Sequence, residues 1–175
     1  MQRLIQNRIT IIAGHYGAGK TNIAVNLALS LHEAGKPACL VDLDVVNPYF
    51  RSADNRELLQ SRGVRPILPE FANTNVDIPT PPQAYNSIFT TDEYAVVDVG
   101  GDADGATVLA VNRKDYEACG YSMYFVYNYY RPMIADPQAA LLLLRHIEQA
   151  SGLRFCGIIN NSNLGAETTR QAVER

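Results

Sequence analysis

Ile9-Thr10-Ile11-Ile12-Ala13-Gly14-His15-Tyr16-Gly17-Ala18-Gly19-Lys20-Thr21-Asn22 is the stretch on which the reading of this chain turns. Its first five residues are mostly apolar and β-branched, as strand residues are, and a glycine stops them. Gly14 to Thr21 then fit the spacing G-x-x-x-x-G-K-[ST]. Backbone N–H groups wrap phosphate oxygens only if the chain comes close in unusual dihedrals, and glycine permits both. The helix expected next aims its positive end at the same anion. Gly14, His15, Tyr16, Gly17, Ala18, Gly19, Lys20, Thr21 and Asn22 are therefore the candidate phosphate-binding residues. Lys20 is placed to reach the β- and γ-phosphates, and the Thr21 hydroxyl to ligate Mg²⁺. A glycine-rich turn with a solvated lysine is the plainer alternative, and the strand before and helix after weigh against it.

Similar apolar runs recur at Ala38–Asp42, Tyr94–Asp98, Tyr121–Tyr127 and Phe155–Asn160. Near-continuous runs suit strands buried on both faces of a parallel sheet. Helical spacing fills the gaps. Ile23, Leu27, Leu31 and Ala34 fall on one face, and Gly35 sits where a carboxyl-terminal cap belongs. Asp136 caps a second helix to Ala150, with Pro137 in its first turn and Gly152 beyond its end. This alternation predicts one α/β domain over residues 1–175: a doubly wound, mostly parallel sheet in a three-layer α/β/α arrangement. Ligands of such sheets bind at the carboxyl ends of the strands. Pro66 to Pro82 holds five of the nine prolines and reads as an irregular excursion.

Two of those strand ends are acidic. Asp42-Leu43-Asp44 follows the second run, and Asp98 follows the third, in Val97-Asp98-Val99-Gly100-Gly101. A carboxylate there can hold Mg²⁺ directly or through water, or orient an attacking water. Lys20, Asp44 and Asp98 are thus the candidate catalytic residues, and Thr21, Asp44 and Asp98 the candidate metal residues. Gly101 would bring a backbone N–H to the γ-phosphate and sense its loss. Asp42 is read as steadying the loop, and Asp102 and Asp104 as surface or switch residues. Each aspartate taken alone would pass for a turn or cap residue.

Composition narrows the class. Of 175 residues, 47% are apolar and 19% charged, with a net charge of −3. That balance suits a soluble fold and demotes a non-specific nucleic-acid binder. No window of about 18 apolar residues predicts a membrane span, and the first ten residues lack a secretory core. Cys39, Cys119 and Cys156 form no C-x-x-C pair and read as buried thiols in a reducing, cytoplasmic setting.

The run from Gly14 to Pro48, with its D-x-D at Asp42 and Asp44, resembles the opening of the MinD/ParA branch of P-loop ATPases. Those proteins are relatives of Mrp, ArsA and the nitrogenase iron protein. Val96-Val97-Asp98-Val99-Gly100-Gly101 and, more weakly, Gly157 to Asn163 extend the likeness over most of the chain. The resemblance implies ATP (or ADP) and Mg²⁺ as cofactors, a homodimer with nucleotide between facing subunits, and hydrolysis that resets an unidentified protein partner. It assigns Lys20 to the β/γ-phosphates, Thr21 to Mg²⁺, Asp44 to water, Asp98 to the metal and Gly101 to the second switch. The branch usually has a second lysine one residue after the first loop glycine, reaching into the opposite subunit. Here that position is His15, mostly neutral at pH 7. Arg51 and Arg131 are the candidate replacements, and either is equally readable as a solvated charge.

Asn160-Asn161-Ser162-Asn163 stands where guanine-selective relatives carry N-K-x-D. Asn160 matches the first residue, Asn161 replaces the lysine and Asn163 the aspartate; an amide donates and accepts, so this favours adenine over guanine, with Asn160 and Asn161 as candidate nucleotide-binding residues, or the asparagines simply form a turn. Six of ten tyrosines lie between Tyr116 and Tyr130, and Tyr129-Tyr130-Arg131-Pro132 has the composition of an interface or of a covered core edge. Asn47-Pro48-Tyr49-Phe50 is another candidate surface. The leading expectation is a slow Mg-ATP switch. The alternatives are a transferase or ligase of the dethiobiotin synthetase or cobyrinate amidase kind, a metal-insertion GTPase, and a module that binds nucleotide without turnover. Gly165 to Arg175 opens a helix and then stops, where the resembling proteins add more sheet, so a chain truncated at its carboxyl terminus is expected.

Overall fold

Each of the five apolar runs becomes a strand in the computed structural model, which describes residues 4–44, 56–68, 83–132 and 135–174. In chain order the elements are β1 (Ile9–Gly14), α1 (Lys20–Glu33), β2 (Ala38–Leu43), α2 (Arg56–Ser61) and β3 (Arg65–Ile67). A 3₁₀ segment, Gln83–Phe89, precedes β4 (Tyr94–Val99), α3 (Ala103–Val111), α4 (Arg113–Cys119) and β5 (Tyr121–Tyr127). Then come α5 (Pro137–Ser151), β6 (Gly157–Asn160), a 3₁₀ turn at Gly165–Glu167, and α6 (Arg170–Val173). The six strands form one parallel sheet in the order β3-β2-β4-β1-β5-β6. Chain direction across the sheet changes sides at β1, the switch point where such sheets take ligands. This is the predicted doubly wound α/β fold.

Alternate residues feed two cores. Ile9, Ile11, Ala13, Val97, Val99, Met123 and Phe125 pack with α3 and α5 residues such as Leu109 and Ile147. Ile12, Leu40, Val96, Tyr124 and Val126 pack on the opposite face against α1. The buried stripe of α1 is Ala24, Val25, Leu27, Ala28 and Leu31, while Ala34, expected on it, is exposed. Leu27 and Leu31 keep the expected face, Ala24 and Ala28 let the helix backbone sit close to the sheet, and Ala34 leaves the stripe because it is the residue that ends the helix. Helix ends follow expectation. Gly35 N–H donates to His32 O at 2.8 Å and Lys36 N–H to Leu31 O at 3.1 Å, the paired bonds of a Schellman cap. Asp136 accepts from Gln138 N–H at 3.1 Å at the start of α5.

Several expectations change. β3 was not foreseen, because Pro66 lies inside it; as an edge strand beside β2 it tolerates the missing N–H. β6 begins at Gly157 rather than Phe155, and Ile158 is 58% exposed, because β6 is the other edge of the sheet. Cys39 is buried, but Cys119 and Cys156 are exposed, since one ends α4 and the other precedes the edge strand. The predicted terminal helix is only α6, capped by Thr169, whose hydroxyl accepts from Ala172 N–H at 3.2 Å. Asn47-Pro48-Tyr49-Phe50, Arg51 and most of the Pro66–Pro82 excursion lie outside the described residues. Among the described residues, no helix is long and apolar enough to cross a membrane.

Candidate functional site

Register brings the motifs together. Asp98 is level with Ile12 of β1 and Asp42 of β2, and Gly14 is level with Val126 of β5. The strand ends carrying the glycine loop, the D-x-D and Asp98 therefore share one edge. Gly14 has φ +142, and a Cβ there would run into the Val126 carbonyl, so neither its dihedral nor its packing admits a side chain. Ala18 N–H donates to His15 O at 3.1 Å, closing the loop into a turn. Gly19 then starts α1 without a side-chain cap, which leaves the first helical N–H groups facing the strand ends.

Lys20 and Thr21 are the first residues of that helix. Lys20 is buried and donates to His15 O at 3.4 Å. Burial lowers its pKa, and the charges of Asp98, Asp44 and Asp102 oppose that effect. Thr21 donates its hydroxyl proton to Asp98 Oδ2 at 2.6 Å. The other oxygen, Asp98 Oδ1, is buried with no hydrogen-bond partner among the described residues. Burial pushes the Asp98 carboxyl up to about 7; the Thr21 bond and the Lys20 charge pull it down, while Asp42 and Asp44 add to the rise. Asp44 is buried, its N–H donates to Asp42 Oδ1 at 2.9 Å, and its Oδ1 would lie 3.6 Å from a Cβ on Gly100. Asp42 thus braces Asp44 from within the D-x-D. Asp102 instead caps α3, accepting from Gly105 N–H at 2.7 Å.

Gly101 presses on the loop: a Cβ there would stand 2.7 Å from Tyr16 N. The second glycine-containing segment and the phosphate loop are therefore in backbone contact. A Thr21 hydroxyl beside the Asp98 and Asp44 carboxylates is a hard oxygen donor set of the kind Mg²⁺ takes. Among the described residues no three acidic, histidine or cysteine side chains gather into a cation cage.

The remaining candidates divide. Asn161 Nδ2 donates to Ala18 O at 2.7 Å and packs beside Gly19, so it clamps the loop. Asn160 points the other way, donating to Val173 O at 2.6 Å. Asn22 is exposed on α1, and its carbonyl accepts from Asn26 at 2.7 Å. His15 places Nδ1 2.8 Å from Tyr16 O, and Tyr16 is 51% exposed at the mouth of the loop. Asn128 and Ser162, neither of them a site candidate by sequence, are buried, and they fasten the β5 and β6 ends beside the loop. The only sequence signal for Asn128 is a polar residue directly after an apolar run.

The ParA family model, described as NUBPL iron-transfer P-loop NTPase, matches residues 4–70. No curated protein matches the chain. Among solved structures, the fold is similar to FtsY of Thermotoga maritima, with 18% identity, TM-score 0.57 and coverage of 86% of this chain and 51% of that one. The signal recognition particle receptor FtsY of Elizabethkingia anophelis gives 17%, 0.53, 86% and 48% for the same measures. The kinase domain of Escherichia coli tyrosine kinase ETK gives 14%, 0.55, 96% and 73%. This chain spans about half the length of those FtsY chains. The chain thus has the P-loop NTPase fold, and over residues 4–70 it carries the sequence pattern of the ParA family.

Proposed function

We infer that the chain binds ATP with Mg²⁺ and hydrolyses it slowly, as a nucleotide-gated switch read by a protein partner. The observation that carries this is the meeting of Lys20, Thr21 and Asp98 at the uncapped start of α1, with one buried Asp98 oxygen left over. The loop N–H groups and Lys20 would neutralise the β- and γ-phosphates. Thr21 and Asp98 would hold Mg²⁺, with Asp44 alongside; when bound, the ion supplies further charge neutralisation on the phosphates. Asp44 would accept a hydrogen bond from water and set it in line with the γ-phosphorus. The bond to the bridging oxygen then breaks, giving diphosphate nucleotide and inorganic phosphate. Gly101, in contact with Tyr16 of the loop, is where loss of the γ-phosphate would be felt by the segment leading into α3.

Adenine is favoured because Asn163 stands where an aspartate would select guanine. One FtsY structure of this fold was solved with GDP, so GTP is the alternative to be measured beside ATP. Exposed Tyr16 at the loop mouth suits a face shared with a second copy. The iron-transfer part of the family description gains no support from the cysteines, which are far apart in sequence and form no C-x-x-C pair.

Phosphate release from ATP and from GTP with Mg²⁺, over a range of protein concentrations, tests the reading. Turnover per molecule should rise with concentration, and Lys20→Ala and Asp44→Ala should abolish it. A chain that neither binds nor hydrolyses any nucleoside triphosphate overturns it. Binding without release at any concentration replaces the switch by a binding module or a transferase.

A further inference from the structure

The turn after β5 delivers a cation to the phosphate loop. Asn128, at the end of that strand, is buried. Its Oδ1 accepts from Tyr130 N–H at 3.0 Å, and its carbonyl accepts from Arg131 N–H at 3.1 Å. Tyr129 N–H is fixed in turn by Ser162 Oγ at 2.9 Å. A side chain bonding the backbone two residues on is an Asx turn, and here Ser162, just past β6, pins it as well. The side chain it carries, Arg131, lies over Gly17: a Cβ on Gly17 would stand 3.2 Å from its Cζ and 3.3 Å from its Nε. None of the ion pairs between described residues includes Arg131.

Charge balance says why a guanidinium there matters. Lys20 faces three carboxylates, Asp98, Asp44 and Asp102. A polyphosphate brought beside them adds further negative charge, which one lysine does not offset. The His15 ring is turned to its own loop, with Nδ1 2.8 Å from Tyr16 O. Arginine suits the vacancy because it is charged at every relevant pH and presents a planar fork to phosphate oxygens. We propose that Arg131 is a phosphate-binding residue of the nucleotide site. It acts within its own subunit from the Gly17 side of the loop and supplies positive charge in addition to that of Lys20. This rests on the nucleotide reading above.

The test is titration of the full chain with a fluorescent ATP analogue and Mg²⁺, for wild type, Arg131→Gln, Arg131→Lys and Lys20→Ala. Each complex is then challenged with inorganic tripolyphosphate, which has phosphates but no base. Arg131 is exposed, so the variants should fold, and circular dichroism checks that they do. Arg131→Gln should weaken both the nucleotide and tripolyphosphate about tenfold or more, the size of one lost charge-assisted contact. Arg131→Lys should recover part of each loss. Arg131→Gln binding like wild type, while Lys20→Ala does not bind, overturns the assignment and leaves the nucleotide site standing. Loss of nucleotide affinity with tripolyphosphate unaffected also overturns it, because Arg131 would then meet the base or ribose. A wild type that binds no nucleotide overturns the site itself.

Discussion

Asp98 is a carboxylate that water does not reach, and that sets its behaviour. Burial raises its pKa to about 7 against Lys20 and Thr21, which both favour the charged form. In the unfolded chain it would titrate in the ordinary carboxylate range, near 4. Between those two values the native state holds a proton that the unfolded state has lost, so stability falls as pH rises. Above about 7 both states are ionised and the penalty is constant. A displacement of roughly three units corresponds to about 4 kcal/mol, an upper figure for one group. Asp98→Asn removes the titration but keeps an acceptor for Thr21. With EDTA present, the wild-type melting temperature should therefore drop from pH 4.5 to 7.5 more steeply than that of the variant, and the variant should be the more stable at pH 8. Parallel curves would show that Asp98 does not titrate in this window. The same desolvation is what Mg²⁺ and a phosphate-bound Lys20 would relieve, so instability in the empty site is the counterpart of affinity in the filled one.

At the scale of elements, termini were legible where a side chain or glycine fixes them. Asp136, Pro137 and Gly152 bound α5, and Gly35 closes α1, because capping is a local negotiation between neighbouring backbone groups. β3 and the partial exposure of β6 were not legible, because whether a strand is an edge depends on which others pair with it. One tertiary joint also escaped the sequence. Tyr85 of the Gln83–Phe89 segment and Tyr116 of α4 share a buried hydroxyl pair at 2.6 Å, with Phe89 edge-on to both rings. Burial pushes Tyr85 up to about 12 and Tyr116 well above its usual value, so both stay neutral. Tyr116→Phe keeps the packing but leaves the Tyr85 hydroxyl buried without its partner, a cost of about 1–3 kcal/mol. Removing both hydroxyls replaces the pair by apolar rims of similar shape and should restore most of that loss. Urea unfolding of Tyr116→Phe and of the Tyr85→Phe/Tyr116→Phe double variant checks this. A double variant less stable than the single one by a further full step would show that the hydroxyls do not act as a pair.

Across the whole molecule, the candidate site is assembled from five strands, β1, β2, β4, β5 and β6, whose carboxyl ends meet at one edge. The contiguous part, Gly14 to Thr21, could be read from sequence because loop, lysine and hydroxyl come in one run. The acidic ends were legible one at a time, and only the sheet register puts Asp98 level with Asp42. The partners of the loop were not legible as such. Asn161 reaches Ala18 and Arg131 reaches Gly17 across the sheet, from strands β6 and β5, and no spacing rule encodes a contact made by strand order. That construction has a thermodynamic consequence. A ligand gripping the loop, the β4 end and the β5 and β6 turns bonds only to the folded sheet, so it stabilises the molecule as a unit. At a hundred times its dissociation constant the gain is about 2.7 kcal/mol, a shift of roughly 5–11 °C in melting temperature for a domain of this size. ATP with Mg²⁺ should raise the wild-type midpoint by that amount and leave Lys20→Ala unmoved. Hydrogen exchange should slow in the loop, the start of α1 and residues 128–131, and stay unchanged in the α5 face that carries exposed Leu141 and Leu142. Protection that appeared on that face and spared the loop would place the ligand elsewhere on the sheet.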